Sequence, residues 1–159
     1  MSIIICALLW FSIVSAAIMA GVYFTFSVFA MRAFAELGEA AGARAMQSIN
    51  RVIVKSAFLP LFMLSTAACA ALIILGMMGY GGAGATTMAI GGAIYVIGMF
   101  VVTAVGNVPL NNKLDAADPL TKEGEAVWRD YLLRWTRLNH IRTLSCIAAL
   151  VLLIVSLSA

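Results

Sequence analysis

The chain has 159 residues, 64% of them hydrophobic and 11% charged, with a formal net charge of +3. A soluble domain carries roughly 45–50% apolar and about 25% charged residues, so the composition excludes that class and indicates an integral membrane protein. The three cysteines, Cys6, Cys69 and Cys146, are widely separated and offer neither a disulfide framework nor metal-ligand spacing.

Crossing about 30 Å of hydrocarbon takes roughly 20 mostly apolar residues of helix. Four stretches qualify, at about 3–29, 52–78, 85–108 and 138–157. The expected fold is all-α: one membrane domain over 1–159, a four-helix bundle with an additional cytoplasmic amphipathic helix before helix four. No Lys or Arg precedes the first stretch, and its apolar run exceeds the 7–15 residues of a signal-peptide core, so it reads as a span despite the small residues Ser15-Ala16-Ala17. The connection from Met31 to Asn50 is Ala-rich and reads as helical, interrupted by Gly38 and Gly42. Helix two is expected to begin near Ala43 and to enter the membrane near Val52. Gly79 to Gly84 makes a turn short enough to force an antiparallel hairpin. Helix three carries Gly91, Gly92, Gly98 and Gly106, which allow close backbone approach in lipid and leave self-association into a homo-oligomer open. Pro109 lacks an N–H and disfavours helix at Val108, predicting that the helix breaks or unwinds there. From Leu120 to Arg137 an amphipathic pattern returns, suited to a helix lying at the interface, and runs into helix four without a Gly or Pro.

All ten Lys and Arg residues, from Arg32 to Lys55 and from Lys113 to Arg142, lie in or beside the first and third connections, together with all seven acids. The positive-inside rule makes those connections cytoplasmic and puts both termini outside, in a bacterial inner (cell) membrane. The net charge then reflects topology and anionic lipid; no nucleic-acid motif accompanies it. The partners expected are the bilayer and a small apolar aromatic molecule.

Polar groups are costly in a membrane, so those near its charged end are candidates for function. They are Gln47, Asn50, Arg51 and Lys55 before or in helix two, Asn107 and Asn111 after helix three, and Asn139, His140 and Arg142 in helix four. Trp135, Asn139 and Arg142 stand at i, i+4 and i+7 and share a face. The competing reading is structural: the asparagines satisfy backbone groups freed by Pro109, and the cations and Trp128 and Trp135 anchor at the headgroups. His140 has no second ligand at metal spacing. No nucleophile elbow, phosphate loop or dinucleotide fingerprint occurs, and no acid lies within a span, which argues against a proton pump.

Gly21-Val22-Tyr23-Phe24-Thr25-Phe26-Ser27, Asn50, Asn107-Val108-Pro109-Leu110-Asn111 with Leu114, and Trp135 with Asn139-His140-Ile141-Arg142-Thr143 resemble the anthrone oxygenase-like family of small four-helix membrane proteins, over nearly the whole chain. Members with an assigned activity oxidise anthrones to anthraquinones with O₂, without a metal or flavin. The resemblance implies a cofactor-independent oxygenase acting on a flat anthrone- or quinol-like aromatic, which needs a base, oxyanion donors and an apolar pocket. On that reading His140 is the base; Asn139, Asn111 and Arg142 are the donors; Trp135, Tyr23 and Phe24 wall the pocket, and Asn107 and Asn50 join them in binding substrate. The alternative is a non-catalytic membrane protein that binds a lipid- or quinone-like ligand or serves as a small subunit of an assembly. An oxygenase predicts an enclosed apolar cavity ending at the Asn/His/Arg cluster; a scaffold predicts that cluster filled by its own side chains. A small transporter would need a polar path, for which Thr25, Ser27, Ser65, Thr66 and Thr103 are few.

Overall fold

The computed structural model describes residues 2–159; Met1, where the one-domain reading begins, lies outside them. Five helices follow one another: α1 (Ile3–Glu36), α2 (Glu39–Ile53), α3 (Phe58–Met77), α4 (Gly82–Asp115) and α5 (Lys122–Ser158). Of these α1, α3, α4 and α5 are long and apolar enough to cross a membrane, and the chain is a multi-pass membrane protein. At 1.5 Å per residue the 34 residues of α1 and α4 and the 37 of α5 reach about 50–55 Å. That exceeds the hydrocarbon thickness, and the surplus of each lies at the charged end.

The helices run up and down in a ring in which α1 packs on α3 and α5, and α4 also on α3 and α5. Packing rather than hydrophobic expulsion holds helices together in lipid. Three layers fill the bundle. Leu9, Leu72, Met88 and Leu153 occupy the uncharged end; Met19, Tyr23, Phe62, Tyr95, Met99 and Cys146 the middle; Met31, Met46, Leu114, Trp128, Tyr131 and Trp135 the charged end. A Cβ at Gly98 would meet Ser145, and one at Gly106 would come within 2.7 Å of Leu138. The small residues of the third span therefore serve contacts inside the chain, Gly91, Gly98 and Gly106 with α5 and Gly92 with Cys69 and Ile73 of α3.

The structure corrects three local expectations. Helix two is not continuous from Ala43: α2 ends at Ile53 and α3 starts at Phe58. Pro60 explains the gap, because in an unbroken helix its ring would strike the Ser56 carbonyl and its missing N–H would leave that carbonyl unpaired. Within the first turn of α3 the missing donor costs nothing, and Ser56 Oγ accepts from Phe58 N at 3.2 Å. Conversely, of the break or unwinding expected at Val108 only the unwinding occurs, in the turns before it. Val108 is helical (φ −62°, ψ −46°), and the widened π turns at Val96–Val101 and Thr103–Asn107 precede Pro109; their i→i+5 pairing relieves the ring-to-carbonyl conflict. Finally, the amphipathic segment is no separate helix but the first half of α5 itself, packed on the bundle with Gly124, Trp128, Tyr131 and Trp135 buried.

α2 folds back over the charged end. Gly38, at φ 85°, makes the reversal that a side chain would strain, and Gly42 lets α2 approach the Phe34 carbonyl and Trp128. Gln47 Nε2 donates to the Leu114 and Ala117 carbonyls at 2.8 and 3.0 Å, and Arg51 pairs with Asp115 at 3.0 Å. Glu39 forms a two-pronged pair with Arg129 of α5, whose hydrogen bond holds the Glu39 carboxyl below its ordinary 4.5. A depressed carboxyl pKa contributes stability above the unfolded value and loses it as pH falls through the folded one. Protection of the amides in the first turns of α2, taken as the intrinsic over the observed exchange rate, should therefore fall on acidification below about pH 4.5, and Glu39→Gln should abolish that dependence.

Candidate functional site

A cavity of about 260 Å³ lies between all five helices at the charged end. Its apolar wall comes from Val22 and Phe26 of α1, Ile49 and Ile53 of α2, Phe58 and Phe62 of α3, and Phe100 of α4. Small-molecule sites run from about 300 Å³ upward, so the space suits one compact ligand. Its rim includes the exposed apolar side chains of Val54, Met63 and Val108. Phe58, Phe62 and Phe100 form a chain of rings with centroids 6.0 and 5.6 Å apart. The surface that meets a ligand is aromatic, with Tyr23, Asn50, Thr103, Asn111, Trp135 and Arg142 as its polar points.

Arg142 dominates the electrostatics. Its side chain is 4% exposed and sandwiched between aromatic faces, its guanidinium carbon 4.3 Å from the Tyr23 ring centre and 4.8 Å from that of Trp135. Its hydrogen bonds go to neutral groups, from Nη2 to Asn139 Oδ1 at 2.7 Å and from Nη1 to Thr103 Oγ1 at 3.4 Å. The ion pairs among the described residues join Arg51, Lys113, Arg129 and Arg134 to acids, and Arg142 is in none of them. A buried cation without a counter-ion is costly, and two cation–π contacts compensate only in part.

Two asparagines set this geometry. Asn139 is fully buried; its Nδ2 donates to the Tyr23 carbonyl and Ser27 Oγ, both at 2.7 Å, while its oxygen faces Arg142. Because Arg donates only, the amide orientation is unambiguous. Asn111, one of the lining residues, accepts through Oδ1 from Tyr131 Oη at 2.8 Å and from Trp135 Nε1 at 2.9 Å. Among the described residues five buried side-chain atoms have no hydrogen-bond partner, and three belong to cavity residues: Tyr23 Oη, Asn50 Nδ2 and Arg142 Nε. All three can donate.

The face shared by Trp135, Asn139 and Arg142 thus points into the bundle, and Tyr23, Asn50 and Asn111 meet it. Asn139 stands behind the cavity rather than on it. Asn107 is buried with its Nδ2 3.4 Å from the Trp135 carbonyl, and it too is not among the lining residues. Phe24 and His140 are exposed and lie outside. At 100° per residue Phe26, not Phe24, follows Tyr23 onto the inner face, and His140 is turned about 160° from Arg142. Sequence reasoning missed Phe26, Phe58, Phe62 and Phe100; the spacings Tyr23/Phe26 and Phe58/Phe62 were the available signal. Thr103, Thr66 and Thr25 donate to carbonyls four residues back on their own helices at 2.7, 2.8 and 3.0 Å, so they form no polar path. Among the described residues no three His, Cys, Asp or Glu side chains come together.

Fold and site together define a multi-pass membrane helix bundle with an apolar, partly aromatic cavity ending on a buried arginine. The family described as anthrone oxygenase matches residues 50–152, more than half of the chain, and the protein belongs to that family. No curated protein and no solved structure matches the chain.

Proposed function

We propose that the protein oxygenates a flat, anthrone- or quinol-like aromatic with O₂, and that Arg142 holds the ionised oxygen of that substrate in the cavity. The observation that carries this reading is the buried guanidinium without a counter-ion at the head of an aromatic chamber. An anthrone losing a benzylic proton becomes a delocalised phenolate-like anion, and a fixed cation in a low-dielectric site favours that anion strongly. The lining supplies no carboxylate or imidazole, so the proton leaves to solvent at the rim and the cation, rather than a strong base, makes the ionisation favourable.

The bound anion gives one electron to O₂, and the resulting carbon radical and superoxide join in a C–O bond. The peroxide takes up one proton, and loss of the remaining benzylic hydrogen as H⁺ with OH⁻ from the O–O bond leaves a new carbonyl and one water. One O₂ is consumed, with one oxygen atom in the quinone and one in water. Arg142 keeps the oxyanion in place, Trp135 and Phe26 give it a flat wall, and the apolar lining favours O₂ over water. In this reading the charged end is cytoplasmic and both termini are outside, as the positive-inside rule requires.

The absence of a carboxylate or imidazole from the lining also favours a second reading, in which the cavity binds an anionic aromatic or quinone-like ligand without turnover. Oxygen uptake by detergent-purified protein given a simple anthrone separates them. Uptake above the spontaneous rate supports oxygenation; binding without uptake selects the second reading. His140→Ala should leave uptake within about twofold of wild type in the same assay, because surface replacements away from structural features change little; loss of turnover would restore His140 to the mechanism.

A further inference from the structure

The cavity is roofed toward the charged end and open at its side. α2 forms the roof with Ile49 and Ile53, and it is held there by Gln47 on the Leu114 and Ala117 carbonyls and by the Arg51–Asp115 and Glu39–Arg129 pairs. Of the lining residues the exposed ones are Val54 in the turn between α2 and α3, Met63 of α3, and Ala104 and Val108 of α4, all uncharged. They mark a mouth between α3 and α4, which pack together over residues 85–101 of α4 and make little contact beyond them.

This mouth opens on hydrocarbon. The 20 residues of α3 span about 30 Å, the thickness of the apolar core, and none is charged. Met63, five residues after Phe58, therefore lies about 7–8 Å inside that core, and the neighbouring exposed side chains Leu64, Val101 and Val105 are apolar too. Only the corner at Val54 reaches the headgroups, beside the exposed Lys55.

We infer that the ligand enters and leaves the cavity sideways, between Met63 of α3 and Ala104 of α4, from the half of the bilayer next to the charged end. This deepens the proposed function: it rests on the cavity as the ligand's place, but not on turnover. Hydrocarbon resists ions, so the neutral form passes the mouth and ionises beside Arg142, its proton leaving by the corner at Val54. A residue at a doorway changes the barrier and neither end state, so it shifts association and release by one factor and leaves Kd alone.

The test follows binding of 9,10-anthraquinone, a neutral flat probe, to the detergent-purified full chain by stopped-flow quenching of tryptophan fluorescence, in a Trp10→Phe background that removes the exposed tryptophan. Ala104→Phe narrows the mouth and should slow association and release alike by about tenfold, whereas Met63→Ala widens it and should speed both by about threefold or more, each with Kd within about twofold. Val105→Phe, at an exposed neighbour outside the lining, should leave all three unchanged; slowing equal to that of Ala104→Phe would overturn the inference. Should Ala104→Phe fill the cavity instead, affinity falls without slower release, and Met63→Ala alone decides. Rates within about twofold of wild type in Met63→Ala, with no slower release in Ala104→Phe, would overturn the sideways route and leave the cavity standing as a binding site. Absence of quenching in wild type would overturn the cavity reading and this inference with it.

Discussion

Arg142→Met lowers kcat/KM for an anthrone by at least about 100-fold, the loss typical of removing an oxyanion-stabilising donor, and leaves thermal stability unchanged or raised. The two effects have one cause. The guanidinium is buried with neutral partners, Asn139 Oδ1 and Thr103 Oγ1, so the folded bundle carries a desolvated charge that an apolar side chain of similar length would relieve. A residue kept at such a cost marks a site where function opposes stability. Arg142→Lys should fall between, because an ammonium keeps the charge but not the planar stack between Tyr23 and Trp135. Steady-state oxygen uptake and a melting curve on the same preparations check both halves; activity and stability falling together would make Arg142 a structural residue.

The second large effect is expected at Asn139. Asn139→Leu removes partners 2.7 Å away from the Tyr23 carbonyl, Ser27 Oγ and Arg142 Nη2. The carbonyl keeps the Phe26 N–H and Ser27 Oγ keeps Thr143 Oγ1 at 3.0 Å, so the group left unpaired is Arg142 Nη2, at a cost of about 1–3 kcal/mol for an unsatisfied buried group. Asn139 is a positioning residue, since it stands behind the cavity and acts through the guanidinium. A purely structural role would weaken all ligands alike. Positioning predicts that KM for an anionic substrate rises about tenfold while affinity for a neutral, flat aromatic stays within about twofold, and parallel titrations of the two decide between these.

Much of the fold was legible because the membrane imposes it. Charge confined from Arg32 to Lys55 and from Lys113 to Arg142, with apolar stretches between, leaves little freedom in topology. The inward face of α5 was legible for a local reason, since Trp135, Asn139 and Arg142 lie on a regular helix whose period can be counted. Elsewhere the count fails. Two π turns in α4 rotate Thr103, Asn107 and Asn111 away from the phase that 3.6 residues per turn would give them. As a result Asn107 faces the Trp135 carbonyl while Asn111 reaches the cavity. In α1 the inner face passes through Tyr23 and Phe26, and nothing local to Phe24 says that it points outward. The folding of α2 over the charged end depends on Gln47 meeting carbonyls 67 and 70 residues away, a contact that no spacing within the chain announces. His140 drew attention as the one histidine of the chain, but it is exposed on the face opposite Arg142.

The central claim is that the cavity brings a substrate oxyanion and O₂ together and that oxygen from O₂ enters the product. Reaction of the purified protein with an anthrone under ¹⁸O₂, followed by mass spectrometry of the quinone, tests it most directly. The account predicts one labelled oxygen per quinone, one O₂ consumed per substrate, and loss of the protein-dependent yield in Arg142→Met. Substrate bound at the cavity with no labelled quinone formed above the protein-free control would contradict it.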